Sequence, residues 1–170
     1  MRLVKPTKKY EKSWRAAVAE LRKDAKTIKL WEVLGDPDDL DGMIHNDRLH
    51  SQGKNLPAGW VPYDLLWLIN DGEIVGIASI RHRLSPFLLK SGGNIGYEIV
   101  PSKRGRGYAN KILQLSLGKF KKMGIGKVLV TAFESNVASW KAIEKNGGKL
   151  ENKIKIKNEN GITRRYWINL

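Results

Sequence analysis

Six consecutive residues have the types and spacing to hold an anion: Arg104-Gly105-Arg106-Gly107-Tyr108-Ala109. Before them comes a run with strand character, residues 95–100, rich in β-branched and aromatic side chains and stopped by Pro101. After them Ile112, Leu113, Leu115, Ser116, Leu117 and Phe120 recur at helical spacings. The segment is therefore a short basic turn that feeds a helix N-terminus. The first N–H groups of a helix have no partner inside it, and the macrodipole adds partial positive charge there. Glycines let that backbone approach a ligand closely, and the two arginines raise the local potential, which makes a phosphate cradle in physical terms. The same residues also suit a plain strand-to-helix turn with solvated arginines. The segment is not a Walker loop, because no Gly-Lys-Ser/Thr follows. It is not a dinucleotide fingerprint either, since no acidic residue stands on a second strand about 20 residues on.

Other candidates for chemistry are weaker. Asp36, Asp38, Asp39 and Asp41 cluster without the spacing of an EF-hand loop or a Glu at its twelfth position, so a solvated turn is the better reading. His45 and His50 do not share a helix face, no third ligand stands out, and no metal site is expected. His82 ends a strand, where a surface or hydrogen-bonded role is preferred to that of a general base.

The elements that must position the turn read as a mixed α/β chain. Residues 2–5 form a short strand ended by Pro6, and Thr7 caps a helix whose apolar face is Tyr10, Trp14, Ala17, Val18, Leu21 and Ala25. The stretch Gly35 to Leu40 supplies a cap, Asp36 or Asp38, for a second helix over residues 39–48. Residues 51–62 are broken by Gly53, Pro57, Gly59 and Pro62, with Trp60 either lining a pocket or capping the core. Strands 63–70 and 73–81 flank Asp71-Gly72, a two-residue hairpin signal. Gly124 and Gly126 stop the helix after the basic turn. A buried-type strand follows at 127–133, then a helix opened by Asn136 and stopped by Asn146-Gly147-Gly148. Residues 149–157 alternate Ile with Lys, as in a strand with one solvated face. Asn160-Gly161 is a second hairpin signal before a closing strand at 162–170.

Residues 104–109 resemble the Arg/Gln-x-x-Gly-x-Gly/Ala hallmark of the GNAT N-acetyltransferase family. A second match lies at the right separation: Asn136-Val137-Ala138-Ser139, running on to Lys145-Asn146-Gly147-Gly148, resembles that family's Asn-x-x-Ala/Ser helix. The element order resembles the family's from end to end, most strongly over residues 63–148. The resemblance implies a mixed, mostly antiparallel central sheet with flanking helices, in one domain spanning residues 1–170. It implies acetyl-CoA as cosubstrate and no metal. The N–H groups of Arg104, Gly105, Arg106, Gly107, Tyr108 and Ala109 would hold the pyrophosphate. The pantetheine arm would lie in a gap between strands, along the backbone of Ile99 and Val100. Asn136 would hydrogen-bond the cofactor, while also serving as an N-cap, and the small Ser139 would let it pass. Glu98 is the implied general base, with a solvated or ion-paired strand residue as the alternative. Glu134 is a second candidate, as base or as ligand for the acceptor amine. One departure stands out: many members carry a Tyr seven residues after the Asn as general acid, and this chain has Ile143 there.

Composition bounds the rest. The 170 residues suit one domain with a real core, and no apolar run is long enough to span a bilayer. Cysteine is absent, which excludes thiolate catalysis and cysteine-ligated zinc and fits a reducing cytoplasm. With 31 Lys+Arg against 17 Asp+Glu, the formal charge is +14, a field that attracts anionic cofactors and polyanions. The charge is spread along the chain, so a specific nucleic-acid partner is not favoured. A non-catalytic CoA-binding or nucleic-acid-associated protein on the same fold is the alternative function. A polycationic acceptor fits the charge poorly, whereas small amino-acid-like amines and peptide N-termini fit it better. A monomer or a homodimer is expected, the final hairpin offering a pairing edge.

Overall fold

Alternation and helical periodicity place the apolar side chains on both faces of one twisted sheet. The computed structural model describes residues 1–24, 36, 38–156 and 161–170. The described strands are β1 (Arg2–Val4), β2 (Tyr63–Asn70), β3 (Glu73–Arg81), β4 (Ile95–Ile99), β5 (Lys127–Phe133), β6 (Lys149–Lys155) and β7 (Ile162–Asn169). The helices are α1 (Glu11–Lys23), α2 (Leu40–Ser51), α3 (Pro86–Lys90), α4 (Tyr108–Lys122) and α5 (Val137–Lys145). The strand order is β1-β2-β3-β4-β5-β7-β6. Every neighbouring pair is antiparallel except β4 and β5. This is the mixed, mostly antiparallel sheet with flanking helices expected from the sequence.

One face of the sheet, through Leu65, Trp67 and Ile77, packs on Trp14, Val18 and Leu21 of α1 and on Leu40 and Met43 of α2. The other face, through Leu66, Ile80, Ile95 and Val130, packs on Leu113, Leu117 and Phe120 of α4 and Ile143 of α5. Asp71 and Gly72 turn the β2–β3 hairpin with φ of 48° and 81°, as the Asp-Gly signal requires of a type I′ turn. Trp60 packs at the edge of the α1/α2 core, so it caps that core.

Several local expectations change. Thr7 makes no side-chain cap; it precedes a single 3₁₀ turn, Lys8–Tyr10, that delays the start of α1. Helix α2 is capped by Asp39, whose carboxylate accepts from Gly42 N, while Asp36 accepts from Asp38 N and shapes the turn before it. Gly35, Ala25 and Asn160 lie outside the described residues. Strand β6 is exposed along nearly its whole length, not on one face, because it is the sheet's outermost strand, beyond β7. Helix α3 is new, a single turn capped by Ser85 and started by Pro86. No helix among the described residues is long and apolar enough to cross a membrane.

The fold's decisive feature is how little β4 and β5 pair. Their register has one position, Ile95 with Val130. Asn94 buttresses this point: its N–H donates to Leu129 O at 2.7 Å, and its Oδ1 accepts from Leu129 N at 2.9 Å. Asn94 O also accepts from Arg81 N at 2.8 Å, so one buried residue ties β3, β4 and β5 together. Arg81 Nη1 donates to Gly92 O and Gly93 O, and burial pushes its guanidinium down to about 10. Beyond Ile95 the two strands splay apart. Replacing Asn94 by Ala should strand the buried Leu129 N–H and cost about 1–3 kcal/mol in urea unfolding. Gly93→Ala should be worse, since a Cβ there would stand 2.4 Å from Leu129 O at a φ of +58°.

Candidate active site

The basic turn sits at the open end of the splay. Gly105 and Gly107 have φ of +77° and +79°, values that L side chains disfavour by about 1–2 kcal/mol. Gly107 is the N-cap of α4 and supplies no side-chain cap. Among the described residues, none of the N–H groups of residues 105–110 donates a hydrogen bond. A Cβ on Gly105 or Gly107 would meet nothing within 4 Å, so the turn is not sealed by its neighbours. Arg106 is exposed beside it.

The flanking side chains hold this turn from behind. Arg104 does not reach outward. Its Nε donates to Ile99 O at 3.2 Å, one Nη pairs with Asp24 at the end of α1, and the other lies 3.7 Å from Glu98. Glu20 of α1 accepts from both Ser102 N and Ser102 Oγ, at 2.9 and 3.0 Å. Lys103 pairs with Glu73 at 2.7 Å and holds that carboxyl below its usual range. Tyr108 Oη accepts from Asn70 Nδ2 at 3.3 Å, and Ala109 packs on the core beneath α4. An open groove of about 460 Å³ lies on the far side of this clasp, between α1 and the β2–β3 hairpin.

Strand alternation divides the work of β4. Val100 N donates to Val75 O, and Arg81 N donates to Asn94 O, so even-numbered residues of β4 hydrogen-bond toward β3. The N–H groups of Tyr97 and Ile99 therefore face the splay, where no β5 partner is in register. Val100 brings no free backbone group to it: its N–H is used by Val75 and its carbonyl accepts from Lys103 N. Glu98 is buried at 9% exposure on the α1 side of the sheet, opposite Tyr97 and Ile99.

Across the splay, Asn136 caps α5 through Oδ1, which accepts from Ser139 N at 3.1 Å. Its Nδ2 has no partner among the described residues and is exposed. Ser139 Oγ is 2.9 Å from Tyr97 Oη. Glu134 belongs to a separate cluster. Lys153 and Arg164 both bind its Oε1 and hold the carboxyl below its usual range, which makes it a poor base. Arg164 also lies 4.4 Å from the Trp140 ring centre, and Trp140 Nε1 donates to Glu134 O. Ile143 is fully buried and packs in the core. His82 hydrogen-bonds Asp64, and His50 lies between the Tyr63 hydroxyl and Asn55 O.

The structure thus gathers Glu98, Ile99 and residues 104–109 on one side of the splay and Asn136 with Ser139 on the other. It leaves Glu134 apart. Sequence reasoning missed Tyr97 and Asn94. The signal for Asn94 was a polar residue directly after Gly92-Gly93 and directly before a buried strand.

A profile described as an acetyltransferase (GNAT) domain matches residues 7–149. The chain belongs to the GNAT acetyltransferase family. Solved structures agree on the fold. A ribosomal-protein α-N-acetyltransferase in complex with coenzyme A superposes with a TM-score of 0.70 at 15% identity, covering 100% of this chain and 95% of that one. A ribosomal-protein-alanine N-acetyltransferase from Brucella melitensis gives 0.67 at 16% identity, covering 100% of both chains. A GNAT acetyltransferase from Bacillus anthracis gives 0.63 at 23% identity, covering 99% and 95%. No curated protein sequence matches this GNAT chain.

The clasp behind the GNAT loop can be tested without a ligand. Glu20→Ala should speed hydrogen exchange at the Ser102 amide while lowering global stability by less than about 1 kcal/mol, because the contact is exposed.

Proposed function

We propose that the chain is an acetyl-CoA-dependent N-acetyltransferase acting on a primary amine of a small molecule or of a peptide or protein N-terminus. The observation that carries this reading is the run of unbonded N–H groups at residues 105–110, at the mouth of the β4–β5 splay. Gly105, Arg106, Gly107, Tyr108 and Ala109 hold the diphosphate of acetyl-CoA through these amides. The open Cβ directions at both glycines leave room for it. Arg104, expected from the sequence to offer its N–H as well, does not: that N–H donates to Pro101 O at 3.2 Å, and its side chain is engaged with Asp24, Glu98 and Ile99 O. Ile99 and Tyr97 offer N–H groups to the arm that enters the splay, and Asn136 Nδ2 is free to meet it from α5. Acetyl-CoA, when bound, supplies an activated acetyl thioester.

Glu98 is the group we assign as general base. It stands on the α1 side of the sheet, just ahead of the loop, with one Arg104 nitrogen 3.7 Å from its carboxylate. Ribosomal-protein N-terminal acetyltransferases are among the proteins that share the fold. That likeness and the +14 charge favour a peptide N-terminus or a small amino-acid-like amine over a polycation. We place the protein in the cytoplasm, where acetyl-CoA is available.

Titration with acetyl-CoA and CoA, followed by thiol release with a panel of N-terminal peptides and small amines, tests the reading. Binding without turnover on any amine would favour a non-catalytic CoA-binding protein. Gly107→Trp should abolish CoA binding. Gly107→Ala carries the same backbone strain without the bulk, so its affinity should fall far less, and equal loss in both would remove the cradle. Glu98→Gln should lower turnover by about 10²-fold or more while leaving acetyl-CoA affinity within a few-fold. Unchanged turnover in that variant would remove Glu98 from the mechanism.

A further inference from the structure

Breaking a thioester C–S bond expels a thiolate, and a donor placed at the sulfur stabilises that charge. Ile143 offers none, since it is an apolar core residue. A hydroxyl pair nearby does. Tyr97 Oη and Ser139 Oγ lie 2.9 Å apart, a bond that reaches from β4 to the first turn of α5 across the splay. The Tyr97 ring packs against both cores under α4 and α5, so the phenol is held in this direction by apolar contact. If the phenol donates to Ser139 Oγ, the Ser139 hydroxyl proton is left to turn into the splay.

Resting on the acetyl-CoA reading above, we propose that Tyr97 is a positioning residue that aims the Ser139 hydroxyl at the sulfur of the leaving thiolate and resupplies its proton. The new N–C bond forms as the C–S bond breaks. Glu98 takes the amine proton, the thiolate takes the Ser139 proton, and Ser139 takes the phenol proton. The phenolate regains its proton from water.

The surroundings suit a donor. Burial pushes the Tyr97 phenol up; the Ser139 hydrogen bond opposes this, and the charge of Glu98, its neighbour on β4, adds to it. Tyr97 therefore keeps its proton through neutral pH. From α4 the packing around it is apolar, through Leu113 and Ile112. From α5 it meets Ser139.

Binding tests this without any acceptor. CoA carries an ionisable thiol and acetyl-CoA does not. A thiolate held by Ser139 has a lower pKa in the complex than in solution. CoA affinity then rises with pH, starting at the bound pKa and ending at the free one, by about tenfold per unit of difference. In calorimetric titrations from about pH 7 to about pH 9, spanning an ordinary thiol pKa, wild type should gain about tenfold for CoA relative to acetyl-CoA. Tyr97→Phe should keep acetyl-CoA affinity within about twofold and lose most of that gain. Ser139→Ala should do the same, and the double variant should lose nothing more. A Phe variant with the full gain would overturn the proposal. So would equal loss of both ligands at every pH, which would make Tyr97 only part of the floor. Failure of wild type to bind either ligand would overturn the cofactor reading itself, and this proposal with it, before any Tyr97 variant was compared.

Discussion

Everything at the candidate site depends on two parallel strands that touch at one position and then part. A sheet normally satisfies its N–H and C=O groups against the next strand. Where β4 leaves β5 beyond Ile95 and Val130, that satisfaction stops, and the amides of Tyr97 and Ile99 face a gap. Such an opening is costly unless the strands are held firmly where they do meet. Asn94 does this with bonds to both strands from a buried position, and Arg81 fixes the glycine turn just before it. The rest of β5 is secured on its other side by a full antiparallel register with β7. The gap is thus closed at one end by a staple and open at the other.

The open end is where an exposed helix N-terminus is most useful, and the chain holds it there by charge. Three carboxylates, Glu20 of α1, Asp24 just after it and Glu73 of β3, meet Ser102, Arg104 and Lys103 in the segment joining β4 to α4. These side chains grip the segment from the α1 side. The amides of residues 105–110 are left pointing elsewhere, unbonded. The two glycines at positive φ carry the chain from one task to the other. Basic residues in such a turn need not share one role: Arg104 is tied to the scaffold, and Arg106 remains exposed.

Much of this could be read in the sequence because local chemistry determined it. Asp71-Gly72 turns because its φ values require it, and residues 104–109 form a turn into a helix because glycine, proline and helical periodicity coincide there. The apolar faces of α1 and α4 follow from spacing alone. What could not be read depends on partners distant in sequence. Asn94 matters through Leu129 and Arg81, and Tyr97 through Ser139, 42 positions away. Val100 looked equivalent to Ile99, but strand alternation turns its N–H to Val75. Glu134 looked like a free carboxylate at a strand end until β6 and β7 brought Lys153 and Arg164 to it. Strand β6 carried an amphipathic pattern, yet its place at the sheet edge left it uncovered.

In the function proposed above, period two along β4 also lets the assigned base and the hydroxyl pair share one short strand. Neighbouring side chains on a strand point to opposite faces. Glu98 therefore lies with α1, and Tyr97 lies with α4 and α5, separated by the thickness of the sheet. Two such groups on the same face would titrate against each other and neutralise their separate uses. In an unbroken sheet, residues so placed could never meet a common ligand. The splay removes the barrier, because a ligand arm passing between β4 and β5 crosses from one face to the other. In the function proposed above, the reacting carbon would sit at that crossing, with the proton acceptor on the acceptor's side and the hydroxyl pair on the thiol's side. The same parting of strands that exposes the backbone thus brings opposite faces of one strand to bear on a single bond.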